Sequence, residues 1–207
     1  GMSLGKRLTL SFTVVIAFMA LLAILAVVRI SALSKEIDLI VSDRYPKANI
    51  ANSIKVQTNE VGRSMLGILI MSDPGQIKAE LANIDKVNAA NNEAIATLDK
   101  ILTDEKGREL LKNIVVIRDK FAPLQAEFVK LISEDAKEEA QLKYLFSIRA
   151  LQKRYFTALD AFVEYQDSQM AGAGADSAKV ARQTEILILA LALAAALAST
   201  VVGFLVT

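Results

Sequence analysis

The last stretch of the chain, Ile186 to Thr207 (ILILALALAAALASTVVGFLVT), carries no charged residue and is long enough to cross a bilayer. About 20 apolar helical residues, rising about 1.5 Å each, span a hydrocarbon core of about 30 Å, so this run is expected to be a transmembrane helix. Leu8 to Val28 is equally free of charge, with Lys6 and Arg7 before it and Arg29 after it. Two spans, taken as 8–30 and 186–207, would leave residues 31–185 on one side of a membrane and both termini on the other. The sequence therefore predicts a tethered domain.

Lys6 and Arg7 precede the first span with no acidic residue before them, which places residues 1–7 in the cytoplasm by the positive-inside tendency and the middle region outside. Gly1 ahead of Met2 reads as the remnant of a removed tag and is set aside from fold reasoning. A cleaved signal peptide is the competing reading of the first span. The length of the run and the lack of a small-residue cleavage site before Arg29 argue against it.

Outside the spans the chain is ordinary amphipathic sequence. A net charge of +1 offers no electrostatic case for nucleic acid. With no Cys and no His, a disulfide framework, thiol chemistry and the commonest general base and metal ligand are absent. No Gly-rich phosphate loop or nucleophile–base pair stands out, so neither an enzyme, a metal nor a cofactor is expected.

From Ile30 onward the apolar residues recur at three and four, the period of helices. A first external helix carries Ile37, Ile40, Val41, Ala51, Ile54, Thr58, Val61, Met65 and Ile68, and stops at Ser72-Asp73-Pro74-Gly75. There Asp73 can cap the next helix and Pro74 suits its first position. The second carries Ile77, Leu81, Ile84, Asn88, Asn91, Ile95, Leu98 and Leu102, and Thr103 or Asp104 caps the third. The third shows Leu110, Ile114, Ile117, Phe121, Leu124, Phe128 and Leu131, with Pro123 expected to kink it, and turns at Ser133-Glu134-Asp135. The fourth places Leu145, Ile148, Gln152, Tyr155, Leu159, Phe162 and Gln166 on one stripe and runs toward the last span, Gly172 and Gly174 being its weak point. Helices of about 28 residues are near 42 Å long, and counting that far back from Ser72 puts the bundle's start at Arg44 to Pro46. The fold expected is all-α: an antiparallel up-down-up-down four-helix bundle, its first and last helices continuous with the transmembrane helices.

Measured from the distal turns, polar residues gather near one height on the four helices: Thr58 and Asn59 on the first, with Arg63 one turn nearer the tip, Asn88 and Asn91 on the second, Arg118 on the third, and Arg149, Gln152 and Tyr155 on the fourth. A buried amide without a partner costs about 1 to 3 kcal/mol, so such a layer needs a reason. Register control by polar core residues is one, and the arginines can equally lie on solvated faces. The other reason is a ligand: forked hydrogen bonds from Arg63 with Arg118 or Arg149 would hold a small anion, a carboxylate fitting best, while the Asn, Gln and Tyr groups orient it. Val56, Asn59, Arg63, Leu66 and Ile70 form a second stripe on the first helix, as if it faced a second partner.

This layout, with Gly5-Lys6-Arg7-Leu8 leading to Phe12, Arg44-Tyr45-Pro46 at the bundle's start, Asn59-Glu60-Val61-Gly62-Arg63 followed by Met71-Ser72-Asp73-Pro74, and Tyr155-Phe156-Thr157-Ala158-Leu159, resembles the N-terminal half of a bacterial methyl-accepting chemotaxis protein. The resemblance implies a ligand-binding domain in the periplasm, anchored in the inner membrane and paired as a homodimer. It also implies that first helices meet across the dimer, where an arginine grips ligand carboxylates, and that a small shift of the fourth helix carries the signal. On the residue reading of the polar layer, organic acids and amino acids are the natural candidates, and a neutral or aromatic ligand stays open. Chemoreceptors continue past the second span into a HAMP linker and a coiled-coil signalling tip. Neither follows Thr207, so a truncated piece is expected. A sensor histidine kinase would share the outer architecture, and a structural membrane-anchored bundle without a small ligand would tolerate Leu at Asn88, Asn91 and Gln152.

Overall fold

The computed structural model describes residues 4–206, and the structural statements below concern those residues. They are helical almost throughout, with no strand among them. In order they form α1 (Leu4–Asp38), a π-helical turn (Leu39–Arg44), α2 (Tyr45–Ile70), α3 (Pro74–Ile101), α4 (Glu105–Ser133), α5 (Lys137–Lys143), a second π-helical turn (Tyr144–Ile148) and α6 (Arg149–Val206). Two compact units result: Asp43–Gln169, and the segments up to Ser42 and from Met170 onward.

The first unit is the expected four-helix bundle, built from α2, α3, α4 and the α5–α6 stretch with short connections between them. Sequence chemistry fixes its turns. Asp73 caps α3 by accepting from the N–H groups of Gly75 and Gln76, with Pro74 at the first helical position. Asp104, rather than Thr103, caps α4 through the Gly107 N–H at 2.7 Å. After α4, Asp135 takes a left-handed conformation (φ 59°), and the Ala136 N–H reaches the Leu131 carbonyl at 2.8 Å, closing the helix end.

Between these turns the core follows helical spacing. Ile54, Val61, Met65 and Ile68 of α2 meet Ile84, Leu98 and Leu102, then Ile114 and Phe128 of α4, then Ile148, Leu159 and Phe162 of the last helix. Expected stripes shift by a position on three helices; on α4 Leu111 and Gln125 are buried while Leu110 and Leu124 are only half-buried. Val87 is buried where Asn88 was expected, leaving Asn88 half-buried. On the fourth bundle helix Leu145 is 44% exposed and Tyr144 takes its place at 5%, because the π-helical turn adds width and resets which residue faces inward. Tyr144 packs edge-on against Phe128, ring centroids 6.5 Å apart. α4 continues through Pro123, which supplies no N–H for the carbonyl of Asp119. Pro46 likewise gives no donor to Ser42, and the turn before it is π-helical.

In the second unit, α1 faces the C-terminal part of α6 along a period of three and four. Val14, Phe18, Leu22 and Leu25 are half-buried, as are Thr184, Leu187, Leu191, Ala195, Ala198 and Val202. Elsewhere on these segments large apolar side chains stand exposed, among them Phe12, Ile16, Met19, Ile24, Leu193 and Leu197. Both helices are long and apolar enough to cross a membrane. α6 runs unbroken through Gly172 and Gly174 to Val206.

Candidate functional site

A cavity of about 590 Å³ opens within the bundle between α3 and α4. α3 contributes Ile84, Asp85, Asn88, Asn91 and Asn92, spaced so that Asn88 and Asn91 stand one turn apart on the inner edge. α4 contributes Arg118, Asp119, Phe121 and Gln125 among others, while Thr58 and Val61 of α2 and Tyr155 of α6 form the back. The aromatic wall is the stacked pair Phe121 and Tyr155, centroids 6.2 Å apart.

The inner end is polar but uncharged. Thr58 donates its hydroxyl hydrogen to the Ile54 carbonyl at 2.7 Å and accepts from Asn91 Nδ2 at 3.4 Å. Asn88 Nδ2 donates to Gln125 Oε1 at 2.7 Å, bridging α3 to α4. Asn91 Oδ1 and Gln125 Nε2 then remain buried without a hydrogen-bond partner. Burial pushes the Tyr155 hydroxyl up to about 12, against the opposing pull of the Arg118 charge, so it stays protonated at any physiological pH.

The mouth holds the charges. Arg118 donates from Nη2 and Nε to the same Asp119 oxygen, at 2.8 and 3.0 Å, and from Nη1 to Asn92 Oδ1 at 3.4 Å. Asp85 lies on the α3 side. The lining thus holds one guanidinium and two carboxylates, of which Asp119 is bonded to Arg118.

Five of the nine residues singled out from the sequence line this cavity: Thr58, Asn88, Asn91, Arg118 and Tyr155. The expected convergence of all nine does not hold. Asn59 and Arg63 are exposed on the outer face of α2, together with Val56, Leu66 and Ile70. Arg149 is exposed on the last bundle helix, because it follows the π-helical turn on the side away from the core. Gln152 is buried but serves a different contact: its amide sits over Gly62, where a Cβ would lie 2.1 Å from Nε2, and its Oε1 accepts from the Tyr144 hydroxyl at 3.4 Å. Gln125 was missed, although it lies four residues after Phe121 and three before Phe128, on the buried face of α4. That spacing was the available signal.

A family model described as a four helix bundle sensory module for signal transduction matches residues 1–181. The chain belongs to this family, the sensory module of chemoreceptors of the methyl-accepting type. No curated protein matches the chain closely enough to count as a relative.

Proposed function

We propose that this chain is the sensing part of a chemoreceptor. In this reading residues 8–30 and 186–207 span the inner membrane of a bacterium, residues 31–185 face the periplasm and residues 1–7 the cytoplasm. A small polar molecule enters the cavity between α3 and α4, passing Arg118 at the mouth.

One observation carries the reading: the cavity collects buried amides whose hydrogen-bonding capacity is unfilled, Asn91 Oδ1 and Gln125 Nε2. An unfilled buried amide costs about 1 to 3 kcal/mol, which a bound molecule would return. Tyr155 supplies the output, since it touches the cavity and stands on α6, the helix that continues into the apolar C-terminal segment. A ligand that fits one position of Tyr155 better than another biases α6 between two packings, and a shift of about 1 to 2 Å suffices for such switches.

The test is a thermal-shift panel of organic acids, amino acids and amides on the full chain in lipid nanodiscs. Stabilisation by a panel member, abolished by Ala122→Trp at the cavity mouth, is the expected result. No stabilisation, or stabilisation indifferent to Ala122→Trp, contradicts it.

A second reading is favoured by the outer face of α2, where Val56, Leu66 and Ile70 are 67%, 46% and 85% exposed around an exposed Arg63. An apolar stripe of this kind supports pairing of two copies through α2, with Arg63 and Asn59 reaching a carboxylate across the pair. Arg63→Ala would then remove stabilisation by an organic acid, while Ala122→Trp would leave it intact.

A further inference from the structure

The cavity's inner end specifies more than a polar ligand. Thr58 has a single hydroxyl hydrogen and spends it on Ile54, so toward Asn91 it can only accept. Asn91 must therefore present Nδ2 to Thr58, which leaves Oδ1 as a free acceptor. Gln125 has its oxygen occupied by Asn88, which leaves Nε2 as a free donor. Asn91 is 7% exposed and Gln125 5%, so neither amide reaches out into bulk solvent. Both amides end in a soft torsion that can turn them toward an occupant. One acceptor and one donor without a partner in the chain thus belong to two residues that line the same cavity.

We infer that the ligand presents an uncharged group with a donor and an acceptor side by side, a carboxamide or ring lactam, to Asn91 and Gln125. This rests on the reading of the cavity as the ligand site. A carboxylate has acceptors only: it would satisfy Gln125 Nε2 and set its lone pairs against Asn91 Oδ1. An ammonium group has donors only and fails at Gln125 in the mirror-image way. The mouth reinforces the choice, because Arg118 is already engaged by Asp119 and Asp85 adds a second carboxylate. The lining therefore carries a net charge of about −1, which opposes a further anion. Phe121 and Tyr155 give the amide a flat apolar wall to lie on, so a ring-bearing amide fits the cavity's shape and chemistry together.

Three probes separate the possibilities: benzamide, benzoate and benzylammonium, which share a phenyl ring and one attached carbon and carry a neutral amide, an anion and a cation. Binding to the full chain in nanodiscs is read by ligand-observed NMR and by Tm. Benzamide is expected to raise Tm and to bind at least about tenfold more tightly than either ion, and Asn91→Leu or Gln125→Met should each weaken it by about tenfold. Both substitutions replace a polar core residue by an apolar one of similar size, and circular dichroism checks that helix content is kept. Tighter binding of benzoate or benzylammonium, lost in Ala122→Trp, would overturn the amide assignment while leaving the cavity as the ligand site. Binding of none of the three, or binding that survives Ala122→Trp, would overturn both.

Discussion

The hydroxyl of Tyr165, on α6, donates a 2.6 Å hydrogen bond to Oδ2 of Asp104, the residue that caps α4. One carboxylate thereby closes the start of one bundle helix and ties down another. The same oxygen accepts from the Gly107 N–H at 2.7 Å, and a Cβ at Gly107 would come within 2.9 Å of the carboxylate oxygens. A side chain at Gly107 would therefore crowd the carboxylate that forms the cap.

The Asp104–Tyr165 bond predicts a two-sided pH dependence. Burial by itself would raise the Asp104 pKa, but the Tyr165 hydroxyl, the backbone N–H groups and the Lys47 charge together hold it below the ordinary carboxylate range. Tyr165 is shifted upward, chiefly by the same bond and then by burial. A depressed carboxyl contributes stability above its unfolded value of about 4 and loses it as pH falls through the folded pKa. A raised phenol contributes below its unfolded value of about 10 and loses it as pH rises through the folded pKa. Tyr165→Phe should therefore cost about 1 kcal/mol near neutrality, with the gap closing in acid below pH ~4 and in alkali above pH ~10. Thermal melts followed by circular dichroism at acid, neutral and alkaline pH check this, and a gap constant across the range would contradict it.

Gly62→Ala places a Cβ 2.1 Å from Gln152 Nε2, and Gln152, 8% exposed, has little room to retreat. The cost should be about 1 to 3 kcal/mol of bundle stability. Removing the obstructing amide should relieve it, so that Gly62→Ala combined with Gln152→Ala destabilises by less than the sum of the two single changes. Chemical denaturation of the four proteins measures the coupling.

Gln166 is 1% exposed and its Nε2 has no partner. Gln166→Met keeps the shape and removes the unsatisfied amide, so it should raise stability by about 1 kcal/mol. A fall in Tm would mean that the amide has a partner in the folded protein.

The fold was largely legible because its controlling features are local. Asp73-Pro74 and Asp104 announce their helix starts by side-chain chemistry alone, and most stripe positions of α2 and α4 follow from a period of three to four. One miss comes where a single turn departs from α-helical geometry. The π-helical turn at Tyr144–Ile148 exchanges Leu145 for Tyr144, which no fixed period can anticipate. The site was legible in part for a related reason. Spacing identifies a helix face but not its neighbour, so Arg63 and Arg118 both read as candidates for one polar layer although one faces outward from α2 and the other edges the cavity. Gln125 was passed over because Leu124 competed for the same stripe and looked the better core residue.

The central claim is that a ligand in the α3–α4 cavity acts on α6 through Tyr155. Amide hydrogen exchange of the full chain in nanodiscs, with and without a compound that raises its Tm, tests this most directly. Slowed exchange in α3 near Asn88 and Asn91, in α4 from Arg118 to Gln125, and in α6 around Tyr155 is the predicted result. Slowing confined to the outer stretch of α2 around Arg63, with α3 and α4 unchanged, would contradict it.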